Sequence, residues 1–307
     1  MASQWIGPLA IAAEGTPSPA MVEQPRAATL ILNARAGTLQ GMATPRASLE
    51  AALCASGYAV AHEADEDKSL EDQWHAFLQN PTAVVFVAGG DGTLRDAAAR
   101  LVYSETILAP LPGGTMNRLC VRLGLPIDPL AAARAYQDAH FVDLAVGSVN
   151  GIVFLYQAIV GEPTRLLRFR EMQRGSGARG WWPLLRALLR GLARPGRAWL
   201  LVRIDRRRRR RGHAVVVTVP APGEQPMLMV DLAQPRHALH RLRQAWRWFR
   251  GRLGEDAQVR SNSLSHLVVH SPLRAVRLSL DGEVHFTTSP VRFRLHPGAL
   301  RILVTQA

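Results

Sequence analysis

Residues Val84–Thr93 read VVFVAGGDGT, a run of apolar β-formers that enters a Gly-Gly-Asp-Gly-Thr turn and opens the helical pattern LRDAAARLV. Gly89, Gly90 and Gly92 let the backbone take positive φ and approach a ligand without Cβ clash, and the unpaired N–H groups of the following helix start attract an anion. Asp91 sets one carboxylate where a magnesium ion bridging phosphate oxygens would sit, because magnesium takes one or two carboxylates plus substrate phosphates. An ordinary tight βα connection would use the same glycines, so the neighbouring turns decide. Ile107 to Leu111 runs into Pro112-Gly113-Gly114-Thr115-Met116-Asn117, and Ala28 to Leu32 runs into Asn33-Ala34-Arg35-Ala36-Gly37-Thr38. In a parallel sheet all three turns lie beyond the carboxyl ends of the strands, where open α/β sheets bind ligands.

Around these turns, strands near 28–33, 58–62, 83–88 and 107–111 alternate with helices near 44–56, 69–79, 93–103 and 129–138. That βαβ order predicts a doubly wound α/β domain over 27–143. After Asp143 short strands take over, among them HAVVVTV, SHLVVHS, AVRLSLD and VRFRLH. They predict an antiparallel β-sandwich domain over 144–307 with two helical insertions, the last strand either staying there or returning to the first domain.

At 307 residues with 48% hydrophobic content, the chain can fill about two cores. No run of 18 apolar residues suggests a membrane span. The first 26 residues lack a basic n-region and are expected to form a disordered leader. Cys54 and Cys120, both in expected helices, suit a reduced cytosolic compartment.

Charge is uneven. Residues 1–160 hold 9 Lys/Arg against 15 Asp/Glu (−6), and residues 161–307 hold 28 against 9 (+19). An anionic membrane surface would attract the basic half, and so would nucleic acid. In Trp181-Trp182-Pro183-LLRALLRGLAR, Arg186, Arg190 and Arg194 share one helical face. His237 to Leu253 repeats the theme with Leu239, Leu242, Trp246 and Phe249 at helical spacing among arginines. Such basic amphipathic helices suit either an interfacial position or a core-facing helix with a solvated face. Arg206 to Arg211 form a run that is most simply an exposed hairpin tip. It has no aromatic interleaving, so nucleic-acid binding is not expected. His266 and His270 fall in a strand pattern with no third ligand nearby, which argues against zinc.

Four motifs in order resemble the diacylglycerol kinase catalytic-domain family of lipid kinases. They are Asn33 to Gly37, Gly89 to Thr93, Pro112 to Asn117, and Leu280-Asp281-Gly282-Glu283, the last followed by Ser289-Pro290 and His296-Pro297-Gly298-Ala299-Leu300. The resemblance extends over most of the chain. It implies an ATP- and magnesium-dependent kinase that phosphorylates the hydroxyl of a diacylglycerol-like lipid, located in the cytoplasm and peripherally at the inner face of the membrane. Phosphoryl transfer needs positioning, charge neutralisation and a base for the hydroxyl proton. The nucleotide-binding set would be Asn33, Arg35, Ala36, Gly37, Gly89, Gly90, Asp91, Gly92, Thr93, Thr115 and Asn117, with Asp91 also at the magnesium of Mg-ATP. Asp281 and Glu283, one residue apart, would face the same way on an extended segment. The resemblance casts Glu283 as proton acceptor and Asp281 and Asp91 as catalytic partners, meeting across an interdomain cleft.

Departures keep other readings open. Arg118 stands where the family usually has Asp, Gly113 where it has Leu, and Asp96 keeps only a shortened carboxylate. Gln225-Pro226 replaces an Asp-Gly, removing a charge and a backbone donor, which argues against the structural metal site of relatives. A catalytically degenerate member that binds nucleotide or lipid is one alternative. A soluble NAD-kinase-like enzyme is another, although no T-P-T-G-S-T-A-Y-type segment is present.

Overall fold

The computed structural model describes residues 26–61, 68–161, 200–203, 209–233 and 259–305. The expected leader, the 181–194 and 237–253 helices and Arg206–Arg208 lie outside the described residues. The chain divides into two units. One takes in the chain up to Val146 with Ala221–Glu224 and Pro297–Ala307, and the other Gly147–Pro220 with Gln225–His296.

The first unit is an α/β domain. Strands β1 (Arg26–Leu32), β2 (Tyr58–Val60), β3 (Val84–Gly89) and β4 (Ile107–Pro112) alternate with helices α1 (Pro45–Ala55), α2 (Leu70–Gln79), α3 (Asp91–Leu101), α4 (Arg118–Arg122) and α5 (Pro129–Ala135). Their order in the sheet is β2-β1-β3-β4, all parallel. All six residues of β3 are buried, as a central strand covered on both faces requires. Beneath it Phe86 meets Tyr58 and Tyr136 edge-on, with ring centroids 4.8 and 5.5 Å away. Tyr136 donates its hydroxyl to the Pro110 carbonyl at 2.7 Å, and burial pushes its phenol well above the usual value.

Two prolines inside β4 are tolerated for a geometric reason. The N–H groups of Ile107 and Gly113 both point at β3, to Ala83 and Gly89. Strand alternation therefore turns Pro110 and Pro112 the other way, toward β16 (Val291–Val304), where a missing donor breaks no bond to β3. The pairing of β4 with β16 is confined to Leu108 opposite Ile302.

The outer edge of β1 is protected by side chains. β2 pairs only with Arg26–Ala28, which leaves Leu30 and Leu32 facing outward. Gln73 of α2 replaces a strand there, accepting from Leu32 N at 2.8 Å and donating to its carbonyl at 3.0 Å. Buried Arg46 reaches the Leu30 carbonyl at 3.4 Å and Gln73 Oε1 at 2.9 Å. A bare edge would be a template for mispairing. Gln73→Leu should lower stability by about 2 kcal/mol, since it strands buried donors and acceptors. Urea titration would check this, and a change below about 0.5 kcal/mol would mean that the edge does not need the amide.

The second unit is antiparallel. One sheet runs in the order β12 (Val259–Leu264), β11 (Leu228–Ala233), β10 (Ala214–Thr218), β7 (Gln157–Gly161), β14 (Ala275–Leu280), β15 (Glu283–Thr288). In another, β13 (His266–His270) lies between the first half of β16 and β8 (Leu200–Arg203), with β9 (Arg209–Gly212) beyond. β5 (His140–Val149) and β6 (Ile152–Phe154) form a hairpin turned by Asn150-Gly151 at φ 46° and 87°. Positive φ at both central residues is the Asn-Gly hairpin geometry. Asn150 also accepts from Arg292 N at 2.9 Å and donates to Thr287 Oγ1 at 2.9 Å. Sequence patterning did not yield β9, β11, β12 or β15. β9 lies in the arginine run, β11 follows Pro226, and β12 reads VRSNSL, without apolar alternation.

Candidate active site

Three turns meet at the carboxyl ends of β1, β3 and β4. Asn33 N donates to the Ala88 carbonyl at 2.9 Å, and its side-chain amide donates to Thr93 Oγ1 at 2.9 Å, tying the first turn to the second. Thr38 N donates to the Gly113 carbonyl at 3.0 Å, and a Cβ built on Gly37 would lie 3.4 Å from Thr115 Oγ1. A Cβ on Gly114 would stand 2.6 Å from Gly90 Cα. The second and third turns therefore touch backbone to backbone, which only glycine permits. Gly113 has an equally local cause, because a Cβ there would meet buried Leu39 at 2.5 Å. Leu39 fills the space a larger residue at 113 would need.

Helix α3 starts at Asp91, two residues before the expected 93, with Gly90 as its N-cap. Its first intrahelical bond is Leu94 N to the Gly90 carbonyl, so the N–H groups of Gly92 and Thr93 precede the hydrogen-bonded ladder. The helix dipole adds positive potential at that end. Arg35 is exposed, and Ala36 N closes the first turn on the Asn33 carbonyl at 3.0 Å. Asn117 takes a left-handed conformation at φ 46° and is 1% exposed. Its amide clamps the third turn through Gly114, accepting from N at 2.8 Å and donating to O at 2.9 Å. Its role is to shape the loop.

Asp91 is anchored as well as placed. Its Oδ1 accepts from Arg118 N at 2.7 Å and Leu119 N at 3.5 Å, at the start of α4. Burial, with the Asp91 carboxylate second, pushes the neighbouring Cys120 thiol up to about 12, so that cysteine stays protonated and is no nucleophile. Asp96 is exposed on α3 and pairs with Arg95 at 3.4 Å. Among the described residues no group of three His, Cys, Asp or Glu is arranged to hold a metal ion. The strand found for His266–His270 sets the Cα atoms of the two histidines about 13 Å apart along the chain.

The distal motif differs from the extended geometry expected for it. Asp281 and Gly282 form the two-residue turn between β14 and β15, with φ 50° and 101° and Leu280 paired to Glu283. Positive φ at both positions reverses the chain, so the two carboxylates do not share an extended face. Asp281 is 6% exposed. Its Oδ2 accepts from Leu155 N at 2.8 Å, and its Oδ1 from Tyr156 N at 2.8 Å and Gln157 N at 2.9 Å. Glu283 is exposed, with His285 Nε2 3.7 Å from its Oε2. In the remaining motif, Pro297-Gly298 marks a bend in β16 with Gly298 at φ 58°, and Ala299 and Leu300 enter the core. Burial, then Arg294, lowers the His296 pKa from its usual value. The cue to Asp281 was the Asp-Gly pair itself, whereas nothing local announced its three backbone partners.

Gly114→Ala tests the close approach of the turns. The added methyl must push the third turn off Gly90, and we expect about 2 kcal/mol of destabilisation. If these turns bind nucleotide, binding of a fluorescent ATP analogue should weaken at least tenfold with it; unchanged binding would exclude this approach from such a role.

Comparison with known proteins places these turns in a family context. Residues 27–149 match the model of the diacylglycerol kinase catalytic domain. A probable lipid kinase, YegS-like, of Pseudomonas aeruginosa strain UCBPP-PA14 is 44% identical over 82 residues, 26% of this chain and 26% of that one. A diacylglycerol kinase of Staphylococcus haemolyticus is 29% identical over 110 residues, 35% of this chain and 33% of that one. The chain thus spans between a quarter and a third of the length of these relatives. In fold, a crystal structure of a diacylglycerol kinase from Bacillus anthracis covers 93% of this chain and 99% of its own, with a TM-score of 0.64 and 17% identity.

Proposed function

From residues 27–149, which belong to the diacylglycerol kinase catalytic-domain family, we propose that this protein is an ATP-dependent lipid kinase. It transfers the γ-phosphoryl group to the free hydroxyl of a diacylglycerol-like or related lipid. The observation that carries the proposal is the convergence of the Asn33–Thr38, Gly89–Thr93 and Gly113–Asn117 turns, held together by the Asn33–Thr93 bond and the Gly90–Gly114 approach.

The residues present fit a nucleotide phosphate chain. Glycine keeps the cradle open where a Cβ would fill it, and the α3 N-terminus offers backbone donors to phosphate oxygens. Thr93 and Thr115 add hydroxyls. Magnesium bound with ATP would neutralise phosphate charge. Asp91 is the carboxylate placed to help hold it, anchored through α4 so that its position is defined before nucleotide arrives. Glu283, exposed on β15, takes the proton from the acceptor hydroxyl. Asp281, whose two oxygens accept three backbone N–H groups, acts as a positioning residue that fixes the hairpin carrying Glu283.

No helix among the described residues is long and apolar enough to cross a membrane. We place the protein at a membrane surface peripherally, on the cytoplasmic side, with lipid as substrate. A second reading is a degenerate member that binds nucleotide without turnover. It draws support from Arg118, which stands where the family usually has Asp and whose backbone N–H, at the α4 start, donates to Asp91.

Incubation with labelled ATP, magnesium and mixed lipid micelles tests the proposal, with Asp91→Asn alongside. Label in extracted lipid that is lost in the variant supports a lipid kinase. ATP binding without labelled lipid across diacylglycerol, monoacylglycerol and sphingoid acceptors supports the degenerate reading.

A further inference from the structure

The second unit carries a sheet face that folding does not account for. Strand register puts Val268 of β13 beside Arg292 of β16 and Arg203 of β8, and Arg203 opposite Arg209 of β9. The adjoining rows hold Arg294 beside His266, and His270 beside Leu201 and Arg211. Alternation sends Leu267, Val269, Val291, Phe293 and Val202 to the other side, where all five are buried. The arginine side is therefore the outward one. Arg203, Arg209, Arg211, Arg292 and Arg294 are each exposed on it. These four strands contain no Asp or Glu.

Like charges directly across a strand pair are destabilising. Arg203 nevertheless faces Arg209. Among the described residues, the guanidinium groups of Arg203, Arg209, Arg292 and Arg294 have no carboxylate partner. In sequence the β8–β9 connection adds Arg206, Arg207 and Arg208 against one acid, Asp205. Four exposed cations on one surface without a carboxylate partner among the described residues call for an external polyanion.

We propose that the outward face of β16-β13-β8-β9 docks on an anionic lipid surface, its arginines bound to headgroup phosphates. Geometry favours a bilayer over nucleic acid. The face is a sheet with strands about 4.8 Å apart, so its charges lie in a shallow plane rather than along a groove. Its outward residues on these four strands include no Phe, Tyr or Trp, the broad rings on which successive bases stack. Arginine forks match phosphate oxygens bidentately, and their aliphatic stems, with Leu201 and Val268 between them, suit the headgroup boundary. The proposal deepens the lipid-kinase reading by naming the surface that brings the enzyme to its substrate.

The test uses the full chain and a variant with Arg203, Arg209, Arg292 and Arg294 each changed to Gln, all exposed and outside the nucleotide turns. Binding is measured by sedimentation with phosphatidylcholine vesicles and with vesicles of equal parts phosphatidylcholine and phosphatidylglycerol. Each basic residue near an anionic surface is worth about fivefold in partitioning, so the variant should lose over a hundredfold on the anionic vesicles. Wild type should ignore phosphatidylcholine alone and release from the mixed vesicles as salt rises. A variant that melts like wild type yet still sediments like it overturns the proposal. So does wild type that binds polyuridylate but not the anionic vesicles. Lipid phosphorylation in detergent micelles separates the two claims. If wild type binds anionic vesicles through these arginines but transfers no phosphate, the docking face stands and the kinase reading falls.

Discussion

Asp281→Asn should destabilise the protein by about 3 kcal/mol, although it preserves shape and tolerates the same positive φ. The carboxylate accepts from the consecutive N–H groups of Leu155, Tyr156 and Gln157, at 2.8, 2.8 and 2.9 Å. A carboxylate is an acceptor at both oxygens, whereas an amide has one acceptor and one donor group. In the Asn variant the NH2 must therefore confront at least one of those backbone donors, leaving a buried N–H unsatisfied. Ala should be worse, since it abandons all three donors and adds strain at φ 50°. Chemical denaturation monitored by circular dichroism gives the number. A loss below about 0.5 kcal/mol for Asn would show that the three bonds carry no net stability. Because the hairpin holds Glu283, catalytic loss is also expected in this variant, but as a consequence of displacement.

Glu283→Gln, two residues along, should behave in the opposite way. Its side chain is 48% exposed, so stability should change by less than about 0.5 kcal/mol. Turnover should fall by about 10²- to 10⁴-fold, the usual contribution of a positioned general base. Affinity for ATP should stay the same, since the three turns proposed to bind nucleotide are untouched. Single-turnover transfer at saturating ATP, with a parallel binding titration, separates these terms. Transfer within about twofold of wild type would remove Glu283 as the base. The pair of variants tests whether Asp281 holds the hairpin and whether Glu283 takes part in transfer.

The βα half of the molecule was legible because its signals are local. β3 is a continuous apolar run, as a strand buried on both faces must be, and the glycines at its end mark a turn whichever fold surrounds them. Apart from the short helix α4, which was not among the expected helices, expected and observed elements in that half differ by a few residues at their ends. The antiparallel half was less legible. β12 has no apolar alternation to announce it, and β11 follows a proline. The Asn150-Gly151 hairpin did carry a local signal, flanked as it is by apolar strand residues, and belongs with the Asp-Gly turn as a feature sequence patterning can find.

The sequence by itself determined that three glycine-bearing turns end parallel strands and that the chain carries motifs resembling those of diacylglycerol kinases, because turn chemistry and hydrophobic period act within a few residues of one another. The tertiary structure alone decided what the individual polar side chains do. Asp281 is consumed by a backbone segment 124 to 126 residues away, Gln73 stands in for a missing strand 41 residues away, and Gly113 makes room for Leu39. Arginines scattered from 203 to 294 become one charged face only when strand register aligns them. Such roles depend on long-range pairing, in which a shift of one residue turns every side chain to the opposite face.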